Sequence, residues 1–187
     1  MSELTIANQE QREFWSDIKG DLWVTLQPRI DTMLAAFGDK ALDTLNPQSG
    51  EQILEIGCGT GTTTLALGER VGASGEILAA DLSRPMLSKA IERANLGTKH
   101  PITFVEGDAQ VHNFPTGTFD GVYSRFGVMF FDDPVAAFSN IRKAVRPGGR
   151  MVYVCWADRK ANPWIRIPAG AAKAFLDLPA PPPDDAP

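Results

Sequence analysis

The feature that most limits what this chain can become is Glu55-Ile56-Gly57-Cys58-Gly59-Thr60-Gly61, entered from Ile53-Leu54 and left through Thr62 to Val71. Three glycines on alternate positions let a buried strand turn sharply into a helix and lay bare backbone against a ligand, where a Cβ would obstruct it. Gly57, Gly59 and Gly61 therefore form a binding floor, and Cys58 is the small residue that fills the turn between them. A dinucleotide fingerprint asks for its third glycine at position 62, which is Thr62, and a P-loop asks for a Gly-Lys-Ser/Thr step that is absent. The acid ahead of the turn, Glu55, disfavours a pyrophosphate and favours a ligand carrying positive charge.

Before the turn, apolar residues from Phe14 to Phe37 recur at spacings of three and four, the sign of amphipathic helices, with breaks expected at Gly20, Pro28 and Gly38. Trp15 and Trp23 dock these helices on the core or line the mouth of the ligand cleft. The cluster Asn46-Pro47-Gln48-Ser49-Gly50 is a turn, after which strand and helix alternate, as in a parallel sheet covered on both faces. The first strand is 52–56, with a helix from Thr62 closed by Gly72. The second strand, 76–80, ends at Asp81, about twenty residues past the turn, where a doubly wound fold sets a carboxylate beside a ribose diol. Ser83 caps the next helix and Pro85 lies in its first turn, while Leu82 and Met86 either offer apolar surface for an adenine or serve as ordinary packing. A third strand, 102–105, delivers Asp108 to accept from an adenine amino group and the Ala109 amide to donate to a ring nitrogen. The fourth strand ends at Ser124 and Arg125, next to the glycine turn. The Phe-rich run that follows reads as a helix packed inward, Asp132 as a helix N-cap, and Arg146 to Arg150 as a turn into a fifth strand, 151–155.

The acid followed by G-x-G-x-G resembles motif I of class I S-adenosylmethionine-dependent methyltransferases. The phrase Phe114-Pro115-Thr116-Gly117-Thr118-Phe119-Asp120 resembles the run before their motif IV, and Arg146-Pro147-Gly148-Gly149 matches a further step. The similarity covers most of the chain from Trp15 to Ile167 and is nearest to the small-molecule branch typified by ubiquinone and menaquinone biosynthesis. It implies a Rossmann-like sheet of order 3-2-1-4-5 with a helical lid at 1–46, a cofactor-binding core at 47–157 and a segment after strand five at 158–187. It also implies S-adenosylmethionine as cofactor, S-adenosylhomocysteine as product, methyl transfer to a small-molecule acceptor, Glu55 facing the cofactor's positive charge, and Ser124 and Arg125 where the methyl group and its acceptor meet. Relatives close the sheet with two further strands. Here Leu178 to Pro187 is too proline-rich for strand or helix interior, so strands six and seven are expected to be missing and strand five to be an edge.

Bulk properties narrow the class. A chain of 187 residues is long enough for one core, and a net charge of −5 with scattered basic residues gives no footprint for nucleic acid. No apolar stretch approaches the roughly 20 residues of a membrane span, so a cytoplasmic protein is expected. Cys58 and Cys155 show neither disulfide nor metal spacing. His112, Tyr123 and Asp132 lie near the strand edges without a reason to assign any of them as a base. Two alternatives stay open: an NAD-linked oxidoreductase on the same sheet, and a non-catalytic cofactor-binding fragment.

Overall fold

The computed structural model describes residues 7–97, 99–158 and 161–176. Helices α1 (Gln9–Ser16) and α2 (Ile18–Leu45) precede strand β1 (Gln52–Ile56), after which strand and helix alternate. The order is α3 (Thr62–Val71), β2 (Glu76–Asp81), α4 (Arg84–Gly97), β3 (Ile102–Glu106), β4 (Phe119–Arg125), α5 (Pro134–Ala144), β5 (Val145–Val154) and α6 (Pro163–Ala172). The five strands form one sheet in the order β3-β2-β1-β4-β5, all neighbours parallel. This is the doubly wound arrangement expected from the alternation of elements.

Side chains of β1 point alternately to the two faces, and each face buries its own cluster. Ile53 packs with Ile77, Ala79 and Tyr123 under Ala41, Leu42 and Leu45 of α2 and Leu67 and Val71 of α3. Leu54 and Ile56 pack with Ala80, Val122, Phe114, Phe119 and the α5 residues Ile141 and Ala144. Each buried Val, Leu, Ile or Phe among them contributes about 1.5–3 kcal/mol by leaving water. A sheet filled from both sides gives the strand ends rigid positions, which the site needs.

Three expectations are corrected. The breaks at Gly20, Pro28 and Gly38 do not occur: α2 runs through all three, and the chain breaks instead at Asp17, whose φ of −104° and ψ of −149° leave the helical region. Tertiary contact outweighs propensity here. A Cβ on Gly20 would sit 2.7 Å from Pro85 Cγ, so the glycine lets α2 approach the start of α4. The Phe-rich run is a loop between β4 and α5, with no helix before Pro134. Its rings stand edge-on to others, Phe126 on Phe37, Phe130 on Trp15 and Phe131 on Phe138. The last strand begins at Val145 rather than Met151: Phe119 pairs with Val145 and Gly121 with Arg150, so the Pro147-Gly148-Gly149 turn is a bulge inside the strand's bounds.

Arg150 ties three elements together. Its Nε donates to the Leu45 carbonyl at 2.6 Å, Nη1 and Nη2 to the two Glu51 carboxylate oxygens at 2.9 and 2.6 Å, and Nη2 also to the Asn46 carbonyl. Those bonds hold Glu51 below the usual carboxylate range. Arg150→Ala is expected to lower the unfolding free energy by about 1–2 kcal/mol in denaturant titration, since it frees two helix-end carbonyls and one carboxylate.

The chain divides into two units, Met1–Val154 and Cys155–Pro187. In the second, Asn162 Nδ2 donates to the carbonyls of Ala157 and Asp158 ahead of α6, and the Trp156 and Trp164 rings lie 5.3 Å apart. Among the described residues no strand follows β5, which forms one edge of the sheet. The proline-rich stretch from Leu178 to Pro187 lies outside the described residues. No described helix is long and apolar enough to cross a membrane.

Candidate functional site

The sheet order sets the carboxyl ends of β3, β2, β1 and β4 side by side, so whatever follows each strand arrives at one crevice. After β1 comes the glycine turn, with positive φ at Gly57, Gly59 and Gly61. The two outer glycines permit contact: a Cβ at Gly57 would lie 2.7 Å from Gly127 Cα, and one at Gly61 would lie 2.9 Å from Ala90 Cβ. Gly59 differs, because a Cβ there would meet nothing nearer than Met86 Sδ at 4.0 Å. Its bare backbone faces space rather than protein.

Gly59 N–H donates to Asp81 Oδ2 at 2.7 Å, and Ser83 N–H to Asp81 Oδ1 at 2.8 Å. Asp81 thereby fastens the floor to the β2–α4 loop. It is 7 % exposed, and burial raises its carboxyl pKa against the lowering effect of those amides. The Gly107 amide bonds the Asp81 carbonyl at 3.0 Å, which brings in the end of β3 and, one residue on, Asp108. Asp108 is buried, accepting from Gln110 N–H at 2.8 Å and from Asn8 Nδ2 at 2.9 Å on each oxygen. Among the described residues the Ala109 N–H finds no acceptor, although its carbonyl takes a bond from Asn140. Gly59, Asp81 and Asp108 thus belong to one connected polar edge. Met86 is buried beside it and Leu82 half-buried, with the Leu82 carbonyl accepting from Ser16 Oγ.

Glu55 lies on the sheet face covered by α2 and α3, where its carboxyl accepts from the hydroxyls of Thr63 and Thr64. Burial pushes its pKa up to about 7; those hydroxyls and the Arg125 charge act the other way. Cys58 is buried with its thiol pKa raised by burial and by the Asp81 and Glu55 charges, which suits filling the turn and not nucleophilic attack. Ser124 donates to the Ile56 carbonyl at 2.8 Å and accepts from Gly127 N–H at 3.2 Å, so its hydroxyl locks the tip of β4 to the tip of β1.

The residues near the strand edges that could move a proton are engaged. Tyr123 is fully buried, its hydroxyl donates to the Gly38 carbonyl, and burial raises its pKa. The His112 ring is half-buried against Phe114 at 4.7 Å. Asp132 is not the N-cap expected: Asp133 caps α5 through Ala136 N–H, and Asp132 instead accepts from Asn8 N–H at 2.5 Å.

Asn8 was not among the expected site residues. It is fully buried with φ +50°, donates its side chain to Asp108 and Gln110, and exchanges two bonds with the backbone and carboxylate of Asp132. Its place just ahead of a helix suggests an N-cap, but its side chain caps nothing in α1. The cover is completed by Trp15, whose carbonyl accepts from Ser83 Oγ at 2.6 Å and whose ring stands edge-on to Phe14, Trp23 and Phe130. Surface depressions of about 360 and 380 Å³ lie elsewhere, along α1 and beside β5.

Comparison with known proteins bears on this arrangement. A demethylmenaquinone methyltransferase of Anoxybacillus flavithermus is 34 % identical over 117 residues, 63 % of this chain and 49 % of its own length. The chain spans about half the length of the curated relatives it matches. The crystal structure of an S-adenosylmethionine-dependent methyltransferase from Mesorhizobium loti is 29 % identical with a TM-score of 0.53, covering 61 % of this chain and 50 % of that one. A SAM-dependent methyltransferase from Aquifex aeolicus, 21 % identical, shares the fold with a TM-score of 0.60 over 80 % of this chain and 71 % of that one. The family model described as "methyltransferase domain" matches residues 53–149, from the second residue of β1 to the bulge of β5. That match takes in the glycine turn, Asp81, Asp108 and more than half of the 187 residues, and so the chain belongs to the methyltransferase domain family.

Proposed function

We propose that the chain binds S-adenosylmethionine at the crevice between β1, β2 and β3 and directs its methyl group to a small-molecule acceptor. The observation that carries this is the connected edge formed by Gly59, Asp81 and Asp108. A bare glycine amide plane and two buried carboxylates match a nucleoside with a diol and an exocyclic amine, and no lysine or P-loop prepares the place for phosphate. Asp81 would accept from the ribose hydroxyls. Asp108 and the unpaired Ala109 N–H would read the adenine edge, with Met86 and Leu82 against its face. The floor itself is Gly57, Cys58, Gly59 and Gly61, and Ser124 steadies it from β4. When bound, the sulfonium supplies an already activated methyl group, so alignment and exclusion of water supply much of the acceleration. The lid in this reading is built from α1 and α2, with Trp15 and Phe130 excluding water from the crevice. No base is assigned, because Tyr123, His112 and Asp132 are held by other contacts. The relatives named for demethylmenaquinone support an acceptor that is a small molecule, and the cytoplasm is the proposed place of action.

Thermal unfolding with added ligands tests the reading. S-adenosylhomocysteine at a hundred times its dissociation constant should stabilise the protein by about 2.7 kcal/mol, and NAD should not. Asp81→Asn removes one charged acceptor while keeping its shape, and should weaken nucleoside binding by roughly 10- to 100-fold. Stabilisation by NAD alone would transfer the chain to the oxidoreductase class.

A further inference from the structure

Asn8, just ahead of α1, is fully buried and holds a left-handed backbone, φ +50° and ψ +32°, which asparagine tolerates better than most residues. Its Nδ2 stands 2.9 Å from each oxygen of the Asp108 carboxylate and 3.2 Å from Gln110 Oε1. A primary amide nitrogen has two N–H groups, so these acceptors saturate it. The rest of the residue is fixed as well: Oδ1 accepts from Asp132 N–H at 2.6 Å, and the Asn8 N–H donates to Asp132 Oδ2 at 2.5 Å. One residue thus bridges the loop after β3 and the loop ahead of α5.

The following helix continues the connection. Ser83 Oγ donates to the Trp15 carbonyl at 2.6 Å, Ser16 Oγ to the Leu82 carbonyl at 3.4 Å, and Arg12 Nη1 stands 3.9 Å from Glu106 Oε1. The Asn8–Asp108 bonds are the buried contacts of this set, and the others are partly exposed to water. An amide NH2 placed between the two oxygens of a carboxylate offers the same donors as the exocyclic amine of a purine. Asp108 Oδ1 also accepts from Gln110 N–H, so three of its roughly four acceptor positions are taken. Asn8 satisfies Asp108 but not the adjacent Ala109 N–H, which has no acceptor among the described residues, and so it reproduces only the amine half of a purine edge.

We propose that Asn8 is an internal competitor for the nucleoside: its carboxamide holds the place of the purine amine on Asp108, and a nucleoside binds as that amide leaves and the start of α1 lifts. This rests on the cofactor reading above and adds to it a latch made from the chain's own side chain. Exchange of one NH2 for another on Asp108 leaves that carboxylate satisfied before and after. The cost of opening lies in the bonds from Asn8 to Gln110 and Asp132, and the observed dissociation constant is the intrinsic one divided by the fraction of molecules with the latch open.

The sign of two measurements decides it. In titration calorimetry with S-adenosylhomocysteine, Asn8→Ala removes the competing donor, and Asn8→Asp sets a like charge against Asp108 and Asp132. Both variants should bind the nucleoside roughly 10-fold more tightly than the wild-type chain, with a cooperative thermal transition reporting that each is folded. Hydrogen exchange on the wild-type chain needs no variant: saturation with S-adenosylhomocysteine should make the backbone amides of α1 exchange at least about threefold faster, because the helix start is released. Binding by the folded variants that is equal to or weaker than wild type, or slower exchange in α1, would mean that the helix closes over the ligand with Asn8 in place. Either result overturns the latch while the cofactor reading stands. If neither the wild-type chain nor the variants bind the nucleoside, the cofactor reading falls and the latch falls with it.

Discussion

Gly57→Ala should cost the protein about 3–5 kcal/mol, measured as the shift in unfolding free energy by denaturant titration. Two penalties combine. The residue sits at φ +69°, where a side chain costs roughly 1–2 kcal/mol, and its Cβ would stand 2.7 Å from Gly127 Cα, a backbone atom that cannot rotate away. Relief requires the tips of β1 and β4 to part, which would strip Ser124 Oγ from the Ile56 carbonyl. Gly127→Ala approaches the same contact from the other side, 2.6 Å from the Ile56 carbonyl, so the double variant should cost much less than the sum of the two. Gly59→Ala is the control. Its Cβ would meet no protein atom within 4.0 Å, so the stability loss should stay near the roughly 1–2 kcal/mol of the left-handed conformation alone. Its methyl would instead project over the floor, and nucleoside affinity should drop by at least about tenfold. Equal stability losses at positions 57 and 59 would mean that both glycines serve only the turn, and the ligand floor would lose its support.

How much of this was legible in the sequence depends on how far apart the interacting residues are along the chain. Strands 52–56, 76–81 and 102–106, and the turn from β1 into α3, agree with the sequence reading because turn chemistry and periodicity are local signals. The Gly59 to Asp81 bond spans one strand–helix–strand unit, and its spacing is fixed by that unit. Asn8 reaches Asp108 and Asp132 across a hundred residues or more, and no local pattern announces such a partner. Arg125 was expected with Ser124 at the carboxyl edge of β4, but its ion pair with Asp31 of α2 is a long-range contact that only packing reveals. The continuity of α2 through Gly20, Pro28 and Gly38 was misread for the opposite reason: local breaker signals are strong, and contacts with Ser83, Pro85 and Thr63 made them subordinate. Asp133 replaced Asp132 as the cap because the buried Asn8 claims Asp132 first.

Glu55→Gln should remove a pH dependence of about 3 kcal/mol from the stability of the protein. The carboxyl rises from 4.5 to about 7 on folding, chiefly because burial disfavours its charge. Between those values the native state holds a proton that the unfolded chain has released. Stability is therefore greatest below pH 4.5 as far as this group is concerned, falls as pH climbs from 4.5 to 7, and is level above that. Asp81 is shifted in the same direction at lower pH, and Glu51 in the opposite one, so the difference between wild type and Glu55→Gln isolates the contribution. That difference should be small at pH 4.5 and should favour the variant by up to about 3 kcal/mol at pH 8, with one of the Thr63 and Thr64 hydroxyls still donating to the amide oxygen and the other turning to accept from the amide nitrogen. A stability difference independent of pH between 4.5 and 8 would show that Glu55 is ionised throughout.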